Sequence, residues 1–136
     1  MEALVSALGN EIDLRIVTRD RDLGARAPYA GLDSDCWTPF GAAQVYYASP
    51  RALRPAALIR LLRGTPHDIL YLNSFFSRPM AILVLLARRL GLLPPRPVLV
   101  APKGALFPAA LAIKARRKGL YLRLGRRLGL FRDLVW

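Results

Sequence analysis

The chain has 136 residues, which is enough for one domain with a hydrophobic core but not for two. Its hydrophobic fraction of 54% disfavours intrinsic disorder, and its net charge of +12 predicts attraction to nucleic acids, phosphorylated ligands or acidic membranes without choosing among them. A single cysteine, Cys36, and a single histidine, His67, exclude an internal disulfide and argue against a metal centre, and they fit a reducing, cytosolic setting.

No targeting or membrane-spanning segment is predicted. The first residues lack the basic start and the long apolar stretch of a signal peptide. The most apolar run, residues 80–93, contains Arg88 and Arg89, so it predicts a buried helix rather than the roughly 18 uncharged apolar residues of a membrane span. We therefore expect a cytoplasmic protein, with a peripheral position at the inner face of the membrane as an option.

Predicted strands and helices alternate along the chain. The helices are predicted at residues 2–9, from Ser49 to Gly64, from Ser77 to Leu90, and at 108–128 with a break near Gly119. The strands are predicted at residues 12–18, 44–47, 68–72, 98–101 and 134–136. This alternation predicts an α/β domain with a mostly parallel sheet and right-handed crossovers.

A long loop is predicted between the first two strands, at residues 23–41. It is rich in glycine and proline, and loops of this length in compact domains are often functional. Trp37 and Phe40 within it have two interpretations: they pin the loop to the core, or they offer a stacking platform for a sugar or a base. Cys36 is expected to be a half-buried loop thiol rather than a nucleophile.

The strand at residues 68–72 is expected to organise the rest of the chain. Its continuous apolar run is typical of a strand covered on both faces, and Asn73 and Ser74 stand at its carboxyl end. In an open parallel sheet, ligands bind at the carboxyl edge.

Other polar residues follow the predicted strands in the same way. Asn73 and Ser74 can hydrogen-bond hydroxyl groups, Arg19 and Lys103 can neutralise a phosphate, and Asp20 can pair with Arg19 or act on a hydroxyl. The alternative is that these groups simply cap strand ends and helix starts. The candidate cleft residues are Arg19, Asp20, Tyr47, Asn73, Ser74, Lys103 and Gly104.

The sequence carries no catalytic or nucleotide-binding fingerprint. Neither GxGxxG nor GxxxxGK[ST] occurs, and a lone histidine expected at a strand's amino end cannot complete a Ser/His/Asp constellation. We therefore predict no catalytic residue, no metal ligand and no cofactor.

A basic stretch interleaved with leucines lies near the carboxyl end. Such a helix can lie on an anionic membrane surface with its basic side chains snorkelling, or it can simply present a solvated basic face. Nucleic-acid binding fits the charge but is disfavoured, because no helix-turn-helix, RNP or zinc pattern accompanies it. The candidate membrane-facing residues are Lys114, Arg116, Arg117, Lys118, Arg123, Arg126 and Arg127.

Several segments, taken in order, resemble one family, the retaining glycosyltransferases of the group 1 (family 4) type with the GT-B fold. They span nearly the whole chain: residues 17–22, 37–41, 45–47, 70–76, 101–104, 114–121 and 132–136. One motif departs from the family pattern: Lys103 stands where relatives have the arginine of Pro-Arg-Gly, and lysine lacks the bidentate fork of arginine.

The resemblance implies a Rossmann-like three-layer domain, the N-terminal, acceptor-side half of such an enzyme. It implies one incomplete domain over residues 1–136, truncated at both ends, without the family's first strand and without the donor-binding domain. The intact enzyme would transfer a sugar from a nucleotide-sugar to a polysaccharide or lipid-linked acceptor, in cell-envelope polysaccharide biosynthesis. This chain alone would be inactive. The alternative function is a basic α/β module that docks on an anionic membrane or on a partner protein.

Overall fold

The computed structural model describes residues 5–7, 11–113 and 115–136. Within these residues the strands are β1 (Leu14–Arg19), β2 (Trp37–Phe40), β3 (Ala43–Ala48), β4 (Leu70–Leu72), β5 (Val98–Val100) and β6 (Leu134–Val135). The helices are α1 (Pro55–Gly64), α2 (Leu83–Arg89), α3 (Pro108–Ala112) and α4 (Ala115–Arg127), and a π-helical turn, Arg78–Ile82, directly precedes α2. Residues 5–7 are helical, and the remainder of the helix predicted at 2–9 lies outside the described residues.

The chain is a mixed α/β protein with two compact units, Met1–Arg54 and Pro55–Trp136, called here the N-terminal and C-terminal units. The N-terminal unit contains a sheet of order β1-β3-β2, and the C-terminal unit a sheet of order β4-β5-β6. The C-terminal sheet is entirely parallel, as the alternation of strands and helices predicts. In the N-terminal sheet β1 and β3 are parallel, whereas β2 and β3 are antiparallel. That all 136 residues form one domain stays a prediction.

Strand β2 corrects the prediction of an unbroken loop over residues 23–41. Trp37 and Phe40 belong to this strand, and Trp37 pairs across the ladder with Tyr46. Their rings meet edge to face with centroids 5.4 Å apart. The aromatic residues favour a strand, and Pro39 is compatible with it because β2 is an edge strand. The geometry favours the interpretation that Trp37 holds its segment to the sheet.

Strand β4 is shorter and more exposed than predicted. It begins at Leu70 rather than Asp68, and it lies at an edge of its sheet. Leu72 is buried, but Ile69 and Tyr71 are 62% and 42% exposed. The expectation of a strand covered on both faces is therefore wrong. Within this sheet, the most buried strand is the central one, β5, where Val98 and Val100 are buried and Leu99 is half-buried.

Two helix predictions also need correction. The hydroxyl of Ser49 accepts hydrogen bonds from the Arg51 and Ala52 N–H groups at 3.2 and 3.3 Å, but it caps a turn, and α1 begins only at Pro55. Proline suits the first helical position, where its missing N–H has no helical partner. The break in the last predicted helix falls between α3 and α4, and Gly119 lies inside α4.

The helix predicted from Ser77 is confirmed, although its first turn is π-helical. The Ser77 hydroxyl accepts a hydrogen bond from the Met80 N–H at 3.4 Å, and Pro79 occupies the first turn. Gly91 ends α2 with a φ of 70°, and the Leu92 N–H donates to the Ala87 carbonyl at 2.9 Å. This is the glycine stop that the sequence predicts.

A cluster of aromatic rings forms around Phe75, which is 1% exposed. Its centroid lies 5.0 to 5.4 Å from the rings of Phe76, Tyr121, Phe131 and Trp136. The cluster joins the segment after β4, helix α4, the turn after α4 and the residue after β6. The buried Tyr121 hydroxyl has no hydrogen-bond partner among the described residues, and burial raises the pKa of Tyr121 to about 12.

Gly125 lets α4 approach this cluster. A methyl group on Gly125 would overlap Cζ of the Phe131 ring, so Gly125 is required by contact rather than by backbone conformation. A methyl group on Gly119, in the same helix, would meet no atom of the described residues within 4 Å. Substitution of Gly119 is therefore a matched control for substitution of Gly125.

Substituting Gly125→Ala should lower the free energy of unfolding by about 1–3 kcal/mol, because the methyl overpacks the aromatic cluster. Gly119→Ala should raise it by about 0.5–1 kcal/mol, because alanine is the better helix former and no clash opposes it. Urea unfolding followed by circular dichroism measures both. Shifts of the same sign would contradict the packing assigned to Gly125.

Candidate functional site

Four of the predicted cleft residues lie at the carboxyl edge of the C-terminal sheet. Leu72 and Val100 are register partners at the ends of parallel strands β4 and β5, and the Ala101 N–H donates to the Leu72 carbonyl at 2.9 Å. The residues that follow therefore leave the same edge. They are Asn73, Ser74, Lys103 and Gly104.

The segment after β4 is fixed by its aromatic neighbour. Asn73 is exposed and Ser74 is half-buried, whereas Phe75 immediately after them is buried in the aromatic cluster. The Asn73 amide and the Ser74 hydroxyl are thus held at the edge by an apolar anchor. Sequence reasoning about function did not single out Phe75, although an aromatic pair directly after a strand end is a visible signal.

The segment after β5 is a tight turn. Lys103 and Gly104 both have positive φ, 46° and 75°, and the Ala105 N–H donates to the Pro102 carbonyl at 2.9 Å. Positive φ is uncommon for lysine and easy for glycine, so the turn depends on Gly104. Lys103 is exposed at this turn and places one positive charge at the edge.

The other predicted cleft residues lie at the carboxyl edge of the N-terminal sheet. Thr18 pairs with Tyr47 in the parallel β1–β3 ladder, and Arg19 and Asp20 follow directly. The structure thus gathers the seven candidates into two groups, one at each sheet. A crevice shared by both groups stays a prediction.

Asp20 is a buried carboxylate that organises the following loop. The Arg21 guanidinium donates from Nε and Nη2 to the two carboxylate oxygens at 2.7 and 2.9 Å, and the Ser34 hydroxyl donates at 2.8 Å. The Tyr29 N–H also donates to the Asp20 carbonyl at 2.8 Å. Of the two roles considered for Asp20, pairing with Arg19 is wrong, because Arg21 takes that position. The hydrogen bonds from Arg21 hold the pKa of Asp20 below its ordinary value of 3.8, against the opposing effect of burial.

A second carboxylate ties the far end of the same loop. Asp35 has a φ of 63°, and its N–H donates to the Tyr47 carbonyl at 2.9 Å. Its carboxylate accepts hydrogen bonds from the Ser49 N–H at 2.8 Å and the Ser49 hydroxyl at 2.7 Å. Cys36, expected to be half-buried, is exposed. The loop is held by polar contacts at both ends rather than by a buried thiol.

The predicted membrane-facing residues divide into different environments. The ammonium of Lys118 lies 4.9 Å from the ring centroid of Phe76 and donates to the Ala110 carbonyl, so Lys118 is engaged within the C-terminal unit. Lys114 lies outside the described residues. The five arginines of the set are exposed: Arg116, Arg117, Arg123, Arg126 and Arg127.

In the described part of the chain, no cluster of three or more His, Cys, Asp or Glu side chains could hold a metal ion, and no helix has both the length and the hydropathy needed to cross a bilayer. A concavity of about 360 Å³ lies between α1 and Leu92, and it is lined by Ala56, Ile59, Arg60, Arg63 and Leu92. None of the predicted cleft residues lines it.

Comparisons of the chain with protein-family models, with curated proteins and with solved structures found no match.

Substituting Asp20→Asn should lower the melting temperature by about 5 °C or more, because Arg21 loses its charged partner in a buried setting. Asp13→Asn is the matched control. Asp13 pairs with Arg15 at 3.2 Å on the surface, where an ion pair contributes little. Thermal unfolding followed by circular dichroism compares the two, and equal effects would contradict the role assigned to Asp20.

The stabilisation from Asp20 should depend on pH in one direction. Because folding lowers the pKa of Asp20 below 3.8, the stabilisation is fully present above the unfolded value and is lost as the pH falls through the folded value. The difference in unfolding midpoint between the native chain and Asp20→Asn should be constant from pH 7 to about pH 5 and should shrink below about pH 4. Urea titrations across this range measure it; a difference that grows in acid would be the opposite result.

Proposed function

We propose that the chain is the acceptor-side half of a retaining glycosyltransferase, which moves a sugar from a nucleotide-sugar to a polysaccharide or lipid-linked acceptor. Two observations support the proposal. Segments along nearly the whole sequence resemble group 1 glycosyltransferases, and the C-terminal unit contains the parallel sheet that a Rossmann-like domain requires. In this proposal the domain is the Rossmann-like N-terminal half of a GT-B enzyme.

The observation that carries the proposal is the carboxyl edge of β4 and β5. An asparagine amide, a serine hydroxyl and a lysine ammonium stand there at the ends of adjacent parallel strands. Asn73 and Ser74 can donate hydrogen bonds to sugar hydroxyls and accept hydrogen bonds from them. Lys103 can attract a phosphate as a point charge, without the bidentate geometry of arginine. The edge therefore suits a ligand with both hydroxyl and phosphate groups.

The proposal gives this chain a binding role, with the chemical step completed by a donor-binding half. No residue at the edge is placed as a nucleophile or a general base, so the purified 136-residue chain should transfer no sugar. Transfer from any nucleotide-sugar by this chain alone would overturn that part of the proposal.

Ligand binding tests the edge directly. In titrations of the ¹⁵N-labelled chain with neutral disaccharides and with monosaccharide 1-phosphates, chemical-shift changes should concentrate at residues 73–74 and 103–104. Asn73→Ala should weaken binding of both ligand classes by about tenfold, the effect of one good hydrogen bond. Lys103→Gln should weaken only the phosphorylated ligands.

Asp68→Asn provides the matched control, because Asp68 is exposed at the opposite end of β4. It should leave both affinities unchanged. Shift changes that map elsewhere, or an Asn73→Ala affinity equal to that of the native chain, would count against the carboxyl edge as the acceptor site.

A further inference from the structure

Helix α4 and the residue that follows it carry a row of exposed leucines. Leu120, Leu124 and Leu128 recur every four residues and are 58%, 46% and 52% exposed. Tyr121 and Gly125, which meet the aromatic cluster, lie next to this row, about 100° and 140° around the helix from Leu120. The helix therefore has one wide apolar side, and the leucine row is the part of it that the described part of the C-terminal unit leaves exposed.

Exposed arginines lie within the leucine row and along one side of it. At about 100° per residue, Arg117 lies about 60° from Leu120, between Leu124 and Leu128, whereas Arg116, Arg123 and Arg127 lie about 20–60° from Leu120 on the side away from Tyr121. Arg126 lies further around the helix. The seven residues that define this leucine–arginine face are Arg116, Arg117, Leu120, Arg123, Leu124, Arg127 and Leu128.

Positive charge is strongly segregated into the C-terminal unit, which contains this face. Residues 1–54 carry seven acidic and six basic residues, whereas residues 55–136 carry two acidic and fifteen basic residues. No acidic residue occurs between Asp68 and Asp133. The C-terminal unit thus accounts for the excess positive charge of the whole chain, and no carboxylate on α4 neutralises the arginines.

We infer that the leucine–arginine face docks the protein on the surface of an anionic lipid bilayer. The leucines would enter the boundary between headgroups and acyl chains, and the arginines would contact lipid phosphates. This inference goes beyond the proposed function, because it concerns α4 and not the carboxyl edge of the sheet.

The combination of positive charge and exposed leucines favours a bilayer over a second copy of the chain or a nucleic acid. A second copy of the chain would bring a like-charged face, which repels at close range. A nucleic acid would engage the arginines but would leave the leucine row against a charged backbone. A bilayer surface offers negative charge and an apolar layer side by side, which is the pattern that the face presents.

Vesicle sedimentation with the purified full chain tests the inference. The chain should bind vesicles of phosphatidylcholine with phosphatidylglycerol, lose that binding in high salt, and not bind vesicles of phosphatidylcholine alone. The triple variant R117Q/R123Q/R127Q should bind at least about tenfold more weakly. The control R51Q/R54Q/R63Q removes the same charge from exposed positions elsewhere and should retain most of the binding.

The leucines need their own pair of variants. Leu120→Ser with Leu124→Ser should weaken binding to anionic vesicles at least about tenfold. Leu23→Ser with Ile69→Ser, which changes two exposed apolar residues outside the face, should not. Urea unfolding of each variant separates a loss of folding from a loss of docking.

Three outcomes would overturn the inference. The chain could fail to bind anionic vesicles at low salt, or the two arginine triples could weaken binding equally, which would make net charge the sole cause. Leucine variants that bind as well as the native chain would exclude insertion. Tight RNA binding that depends on the face arginines but not on the leucines, without vesicle binding, would assign the face to nucleic acid instead.

Discussion

Burial of Phe75 is the interaction on which the C-terminal unit depends. Its ring meets aromatic side chains from α4, from the turn after α4 and from the end of the chain, so one side chain joins segments far apart in sequence. Aromatic side chains bury large apolar areas, and removing one from a core commonly costs about 3–5 kcal/mol. Because Phe75 follows Asn73 and Ser74 directly, the same burial fixes where the polar edge residues stand. It also fixes which side of α4 faces inward, and therefore which side remains exposed.

The aromatic cluster contains a polar group that lacks a hydrogen-bond partner among the described residues. The Tyr121 hydroxyl is buried without a partner among the described residues, which is a cost that a phenylalanine would avoid. Two arginines of the C-terminal unit donate hydrogen bonds to backbone carbonyls rather than to carboxylates, because the unit has only two acidic residues. Arg88 donates to the Arg132 carbonyl at 3.0 Å, and Arg89 donates to the Leu128 carbonyl at 2.9 Å. Backbone carbonyls of residues that follow α4 therefore take the place of carboxylates, and the two arginines connect the end of α2 to the segment after α4.

The sequence predicts what depends on local pattern and misses what depends on distant neighbours. The runs at β3, β5 and β6 predict strands correctly, and Ser77 and Gly91 predict the bounds of a helix. The exposure of Tyr71 could not be predicted, because it depends on which elements pack on that face of β4. Strand β2 was missed because glycine and proline surround it.

The partner of Asp20 was missed because the choice between Arg19 and Arg21 depends on which of two neighbouring side chains faces the carboxylate. Of the candidate site, the edge positions of Asn73 and Lys103 follow from the strand ends, whereas the inward direction of Lys118 follows only from the packing of α4.

The two units use ionic groups for different purposes. In the N-terminal unit, the Asp20 and Asp35 carboxylates accept internal hydrogen bonds that hold a loop in place. Acidic and basic residues nearly balance in this unit. Among the described residues of the C-terminal unit, the positive charges have no comparable internal partners of opposite sign, so mutual repulsion raises the free energy of the folded unit. An anionic surface beside α4 would relieve that repulsion, and salt would relieve it in the same direction by screening. The leucines distinguish the two cases, because salt lowers the repulsion without giving an exposed apolar side chain anywhere to be buried.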